Sequence, residues 1–201
     1  MPSFGSRVLL AAMLVYPAAI CAQAVDPAQI PVQALCDRLI ANMKGGASLG
    51  FSGRAQAIGP VVDRAFDIPL MTRLTIGPKW NSLSAADQKS LVNAIRRLTI
   101  AQYAANFDSF DGQRFMIDPK VDGRGGDRLV RTSLLQPGEA PVSISYRLRQ
   151  SGAEWKIIDV YYQNSISQLA TRRADFARVF ETSGAPGLLR HLSALTEKAS
   201  H

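Results

Sequence analysis

The sequence predicts an α+β fold, a four-stranded antiparallel meander packed by N-terminal and C-terminal helices. Two observations predict it. Apolar residues recur with helical spacing up to about Asn106, switch to strict alternation between Phe115 and Tyr162, and return to helical spacing afterwards. The strand-like runs are separated only by tight turns, and strands so joined must be antiparallel neighbours, because a parallel crossover needs a dozen or more residues. With 201 residues, 47% of them hydrophobic and 19% charged, the chain can build a core without metal or disulfide staples.

The N-terminus stands apart. Residues 1–7 carry Arg7 and no acid, residues 8–20 are almost wholly apolar, and Ala22-Gln23-Ala24 supplies the small-x-small pattern of a signal-peptidase site. We expect residues 1–24 to be a cleaved signal peptide and residues 25–201 a single domain. A lipoprotein site at Cys21 fits less well, because Ala18 and Ile20 stand where a Leu-like and a small residue are wanted. Beyond residue 25 no run of about 18 apolar residues could span a bilayer.

Taken in order, Ile30, Leu35, Leu39 and Met43 share one helical face, and Gly45-Gly46 ends that pattern. Phe51, Ile58, Val61, Val62 and Phe66 resume it, with a break or kink expected at Gly59-Pro60. Asp67 suits the cap of a short helix carrying Leu70, Met71 and Leu74, which Gly77-Pro78 stops. Ser84-Ala85-Ala86-Asp87 has capping-box spacing and opens the longest helix, to about Asn106. Its apolar stripe is Leu91, Ile95 and Leu98, drifting into Tyr103 and Phe107, whereas Lys89, Arg96, Arg97 and Gln102 point elsewhere.

Strands are then expected at 115–117, 129–135, 142–148 and 155–162, with turns at Gly125-Gly126, Pro137-Gly138 and Ser151-Gly152. Val142, Ile144, Tyr146 and Leu148 alternate with Ser143, Ser145, Arg147 and Arg149, as a half-buried sheet requires. Two further helices are expected at 164–180 and 186–195.

The chemical inventory is short. His191 and His201 have no ligand-spaced neighbours, so neither a zinc site nor a Ser-His-Asp triad is supported, and His191 reads as a helix-surface residue. Gly123, Gly125 and Gly126 lie between strands and suit a hairpin, not a phosphate loop. Cys36 lacks the basic neighbours that stabilise a thiolate and reads as a buried thiol. Asp159, flanked by Ile157, Ile158 and Val160, admits two readings: a buried general base, or an acid held by backbone amides or an arginine. The net charge of +7 is carried mainly by scattered arginines, without the basic stripe and interleaved aromatics of a nucleic-acid surface.

A family resemblance adds to this. Phe66-Asp67-Ile68-Pro69-Leu70-Met71-Thr72-Arg73-Leu74, Gly77 with Trp80, Leu83-Ser84, Tyr103 with Phe107, Val130-Arg131-Thr132, Tyr146-Arg147-Leu148, Trp155-Lys156-Ile157-Ile158-Asp159-Val160 and Ile166-Ser167-Gln168-Leu169-Ala170 with Arg173, Asp175 and Phe176 follow in order along nearly the whole chain. This series resembles the MlaC family of periplasmic lipid-binding transport proteins, and residues 166–170 resemble its HpnM branch, associated with hopanoid biosynthesis, more than the phospholipid-carrying branch. The chain departs from the family at Asn164, where a Gly is usual. The resemblance implies a conical, NTF2-like arrangement around an apolar pocket, deep enough for acyl chains, between helices and a curved sheet, and no cofactor. It also implies a shuttle for hopanoid or phospholipid between an inner-membrane transporter and an outer-membrane complex, with transient contact at the membrane surface and no nucleic acid. On inward phase, the expected lipid-binding residues are Leu70, Met71, Leu74, Leu91, Ile95, Leu98, Tyr103, Val142, Ile144, Tyr146 and Leu148, and a conical-fold enzyme with Asp159 as base is the rival reading.

Overall fold

The computed structural model describes residues 25–163 and 165–200, so the expected signal peptide with its cut after Ala24, and Asn164, lie outside the described residues. Four helical elements and a five-stranded sheet follow one another as α1 (Gln29–Ala65), α2 (Ile68–Ile76), α3 (Ala85–Asn106), β1 (Arg114–Arg124), β2 (Asp127–Leu135), β3 (Val142–Ser151), β4 (Glu154–Tyr162), β5 (Ile166–Ser167) and α4 (Gln168–Ala199). None of the described helices is long and apolar enough to cross a membrane.

Local chemistry sets the helix ends. At the start of α1, Asp26 Oδ1 accepts from Ala28 N at 2.9 Å while Gln29 Oε1 accepts from Asp26 N at 3.2 Å, a reciprocal cap. The rod breaks at Gly46 and Gly50, whose φ of 36° and 58° belong to the left-handed region that a side chain disfavours. Arg54 holds this break: its Nε donates to Ala104 O at 2.8 Å and its Nη1 to Gly46 O at 2.9 Å, so one buried guanidinium ties α1 to the end of α3. The kink expected at Gly59-Pro60 does not interrupt the helical backbone, because the proline removes one amide donor without forcing non-helical angles. Asp67 Oδ1 accepts from Leu70 N at 3.0 Å and Ser84 Oγ from Asp87 N at 3.1 Å, the two caps read from sequence. A 3-10 turn (Gly77–Ser82) joins α2 to α3.

The sheet order is β1-β2-β3-β4-β5, antiparallel throughout. The expected four strands thus become five: β5 pairs only Tyr161 with Ser167 and Tyr162 with Ile166, and two residues are too few to show alternation. It also moves the start of the last helical region from 164 to Gln168. β1 runs well beyond 115–117, through an irregularity between Ile117 and Val121 that accommodates Pro119, as an edge strand tolerates. The Asp118 carbonyl accepts there from Gln29 Nε2 at 2.8 Å. Within α4 the backbone is non-helical at Gly184, the gap foreseen between two C-terminal helices.

Helices cover one face of the sheet. The core between the layers contains Val32, Leu35, Leu39, Ile58 and Val62 of α1, Leu91, Ile95 and Leu98 of α3, Val130, Leu148, Ile157 and Ile158 of the sheet, and Phe176, Leu188 and Leu192 of α4. Cys36 is buried among them and its thiol is pushed up to about 12 by desolvation, which makes it inert. Trp80 packs against the core edge. His191 is not a surface residue: it is half-buried, edge-on to Phe176 with ring centroids 6.1 Å apart, because the turn of α4 that carries it also carries Leu188 and Leu192 inward.

On the opposite face, Asp127 at the head of β2 is 2% exposed. Its Oδ1 accepts from Arg149 Nε at 2.7 Å and its Oδ2 from Arg147 Nε at 2.6 Å. Burial alone would raise this carboxyl, yet the hydrogen bonds from Arg149 and Arg147 outweigh it and hold the group below the usual carboxylate range. A lowered folded-state value stabilises at neutral pH, and that stability disappears as pH falls through the folded value. Asp127→Asn should therefore lower unfolding stability by about 1–2 kcal/mol at pH 7, a modest figure because both arginines are partly solvated. Urea melts of the two proteins should converge as pH falls through the folded-state value, which lies under the ordinary value of about 3.9. A constant difference across that range would mean that packing, not charge, holds the corner.

Candidate functional site

The inward face of the sheet continues past its core at one end. Register places Leu134 of β2 opposite Val142 of β3, Ile144 opposite Tyr162 of β4, and Tyr146 opposite Val160, so these six side chains form one wall. The C-terminal half of α3 faces it with Thr99, Gln102, Tyr103, Asn106 and Phe107, spacings of three and four that share one helix side. The first turns of α4 add Gln168, Leu169 and Arg172, and α2 adds Met71. Together they line an open cavity of about 540 Å³, within the roughly 300–1,000 Å³ usual for small-molecule sites.

Of the expected pocket residues, the structure brings Met71, Tyr103, Val142, Ile144 and Tyr146 to this cavity. Leu91, Ile95, Leu98 and Leu148 share their inward phase but lie deeper, buried against the other core side chains. Leu70 and Leu74 are half-buried on α2 and do not line it. Sequence reasoning missed Phe107 as lining, together with Leu134, Val160, Leu169 and the whole polar side. Gln102, read as pointing elsewhere, lines the cavity; the readable signal was the stripe Thr99, Gln102, Asn106 beside Tyr103 and Phe107.

Chemically, the described residues of the lining include no carboxylate, imidazole or thiol. Desolvation raises the Tyr103 and Tyr146 phenols, so both stay neutral. Phe66, Tyr103, Phe107 and Phe115 form a chain of tilted rings 5.8–6.3 Å apart that stiffens the α3 side. Among the described residues the single cation of the lining is Arg172, which spans from α4 to α3 by donating Nη2–H to Gln102 Oε1 at 2.5 Å.

Asp159 lies outside this lining. It is 2% exposed, and its carboxylate accepts from Val160 N at 2.8 Å, Leu169 N at 3.0 Å and Ser167 Oγ at 2.7 Å. Ser167 Oγ in turn accepts from Ala170 N at 3.0 Å. The acid therefore caps the N-terminus of α4 and fixes it to β4, a position the helix dipole favours, and its oxygens are committed to that role. Among the described residues no cluster of three metal-ligating side chains exists.

A cavity walled by one sheet face and closed by two helices, apolar on the sheet side and bearing one cation on the helix side, suits an amphiphile. No curated protein sequence matches the chain significantly. Among solved structures, it resembles the phospholipid-binding protein from Ralstonia solanacearum, whose structure is a complex with a phospholipid. The TM-score is 0.72 at 25% sequence identity, covering 88% of this chain and 100% of that one. The family description "MlaC protein" matches residues 33–194, most of the α+β domain and all the cavity-lining residues. The chain belongs to the MlaC family.

Proposed function

We propose that the protein is a periplasmic lipid carrier that binds acyl or hopanoid-type lipids in this cavity and shuttles them between an inner-membrane lipid transporter and an outer-membrane complex, touching the membrane surface transiently. The observation that carries this reading is the open apolar cavity between sheet and helices, in a chain whose structural neighbour holds a phospholipid. Each methylene withdrawn from water is worth about 0.8 kcal/mol, so free lipid cannot cross an aqueous compartment at useful rates and a protein with a sheltered apolar wall can carry it. The sequence features of the HpnM branch at residues 166–170 support a hopanoid as one cargo.

The test is mass spectrometry of an organic extract of protein purified from its native host. One lipid per chain is expected. Ile144→Asp should abolish it, because Ile144 is 9% exposed and lines the cavity, where an unpaired carboxylate costs several kcal/mol. An extract empty of lipid, from folded wild-type protein, would overturn the carrier reading, and full lipid retention by a folded Ile144→Asp variant would move the lipid elsewhere.

A further inference from the structure

We propose that the outer face of the sheet, away from the lipid cavity, carries a docking groove for an acidic segment of a protein partner, one in which carboxylates alternate with apolar or aromatic side chains. Strand register gathers arginines that look scattered along the sequence. Asp127 of β2 pairs with Arg124 of β1 and with Arg149 of β3, and two residues on Leu129 pairs with Arg147. Alternation then puts Arg124, Arg131, Arg147 and Arg149 on one face, opposite the core side chains Val130, Tyr146 and Leu148. Arg124, Arg128, Arg131 and Arg147 line a groove of about 540 Å³, in which Leu129 and Tyr161 supply the apolar surface.

Charge decides what fits there. Among the described residues of the lining the one carboxylate is Asp127, which is buried and shared by Arg147 and Arg149. Asp122, beside the groove, is held by Arg131, and Asp159, opposite Arg147 in register, is buried and committed to capping α4. Arg124 has no ion-pair partner among the described residues, and Arg128 reaches Asp26 at only 3.8 Å. Arg147 commits its Nε and Nη2 to Asp127 and Arg131 its Nη2 to Asp122, so each guanidinium keeps donors for a second carboxylate. The carboxylates already present hold these forks in place, which lowers the entropy that an incoming acid must remove. Shape then selects the occupant. A flat bilayer meets a recess only at its rim, whereas an extended chain lies within it, setting an apolar side chain on Leu129 and Tyr161 and acids against the arginines on either side. Groove and cavity occupy opposite faces of the same strands, Arg147 and Tyr161 outward beside Tyr146 and Val160 inward, so docking leaves the cavity free whatever it holds.

The probe is a fluorescein-labelled peptide of alternating Glu and Tyr, titrated against the whole protein beside its Gln-Tyr counterpart at low and physiological ionic strength. The acidic peptide should bind at least about tenfold more tightly than the neutral one, and less tightly as salt rises. Arg124→Gln with Arg131→Gln removes two groove cations and a single exposed ion pair, so this double variant should keep its melting temperature and lose about tenfold in affinity. Arg97→Gln with Arg190→Gln, an equal loss of charge at exposed helix positions outside the groove, should change affinity by less than about twofold. Phosphatidylglycerol vesicles should respond to the two double variants alike. A wild type that binds neither peptide or both equally, or equal losses in the two double variants, would overturn the groove. Vesicle binding weakened by the groove pair alone would overturn the peptide and give this face to a membrane.

Discussion

Replacing Asp159 by Ala should destabilise the fold by about 3 kcal/mol. The carboxylate is buried and receives three donors from Val160, Ser167 and Leu169, and charge-assisted hydrogen bonds of this kind contribute about 1.5–3 kcal/mol each before compensation. Truncation leaves two backbone amides and one hydroxyl without their acceptor at the point where α4 leaves the sheet. In a domain of this size the loss corresponds to a melting temperature lower by roughly 6–12 °C. Asp159→Asn keeps an acceptor oxygen and should lose less. Lipid affinity should fall along with stability in Asp159→Ala, because the turn that Asp159 holds carries Gln168, Leu169 and Arg172 to the cavity. Melting curves unchanged by Asp159→Ala would show that the α4 junction is held by packing alone.

Lipid loading should raise stability by a comparable amount. A sealed empty void of about 540 Å³ would cost on the order of 13 kcal/mol at about 24 cal/mol per Å³, as much as the whole stability of a typical domain. The lipid-free state must therefore admit water at the polar side or draw its walls together. A ligand confined to the folded form adds RT ln(1 + [L]/Kd), about 2.7 kcal/mol at a hundredfold excess over Kd, or roughly 5–10 °C in Tm. Calorimetry of one preparation, delipidated and then half reloaded, checks this directly. Coincident curves, with lipid shown by mass in only one sample, would mean that lipid does not prefer the native cavity.

The parts of the fold legible in the sequence were those governed by short-range rules. Asp67 and Ser84 satisfy amides three residues on, a relation visible in four letters, and Gly46 and Gly184 end helices where their neighbours' apolar period lapses. Alternation in Val142, Ile144, Tyr146 and Leu148 gave the inward face of β3 without reference to any partner. β5 was hidden because its pairing with Tyr161 and Tyr162 is a long-range event involving two residues. The cavity was half-legible for a similar reason. Inward phase is a property of one element, so it groups Leu148 with Ile144, although Leu148 meets the core and Ile144 meets empty space. Arg172 looked like one more solvated arginine, since its placement depends on where Asp159 pins the start of α4 and on Gln102 reaching it from α3.

The central claim is that lipid chains lie against the inward wall of the sheet, between it and α3 and α4. Photolabelling tests it most directly: the protein is loaded with a phospholipid carrying a diazirine near the end of one acyl chain, irradiated, and the adducts are mapped by peptide mass spectrometry. Adducts are expected at cavity residues such as Met71, Leu134, Val160 and Leu169, suppressed by excess unlabelled lipid. Competable adducts confined instead to the opposite sheet face, at Arg131, Arg147 or Tyr161, would contradict it.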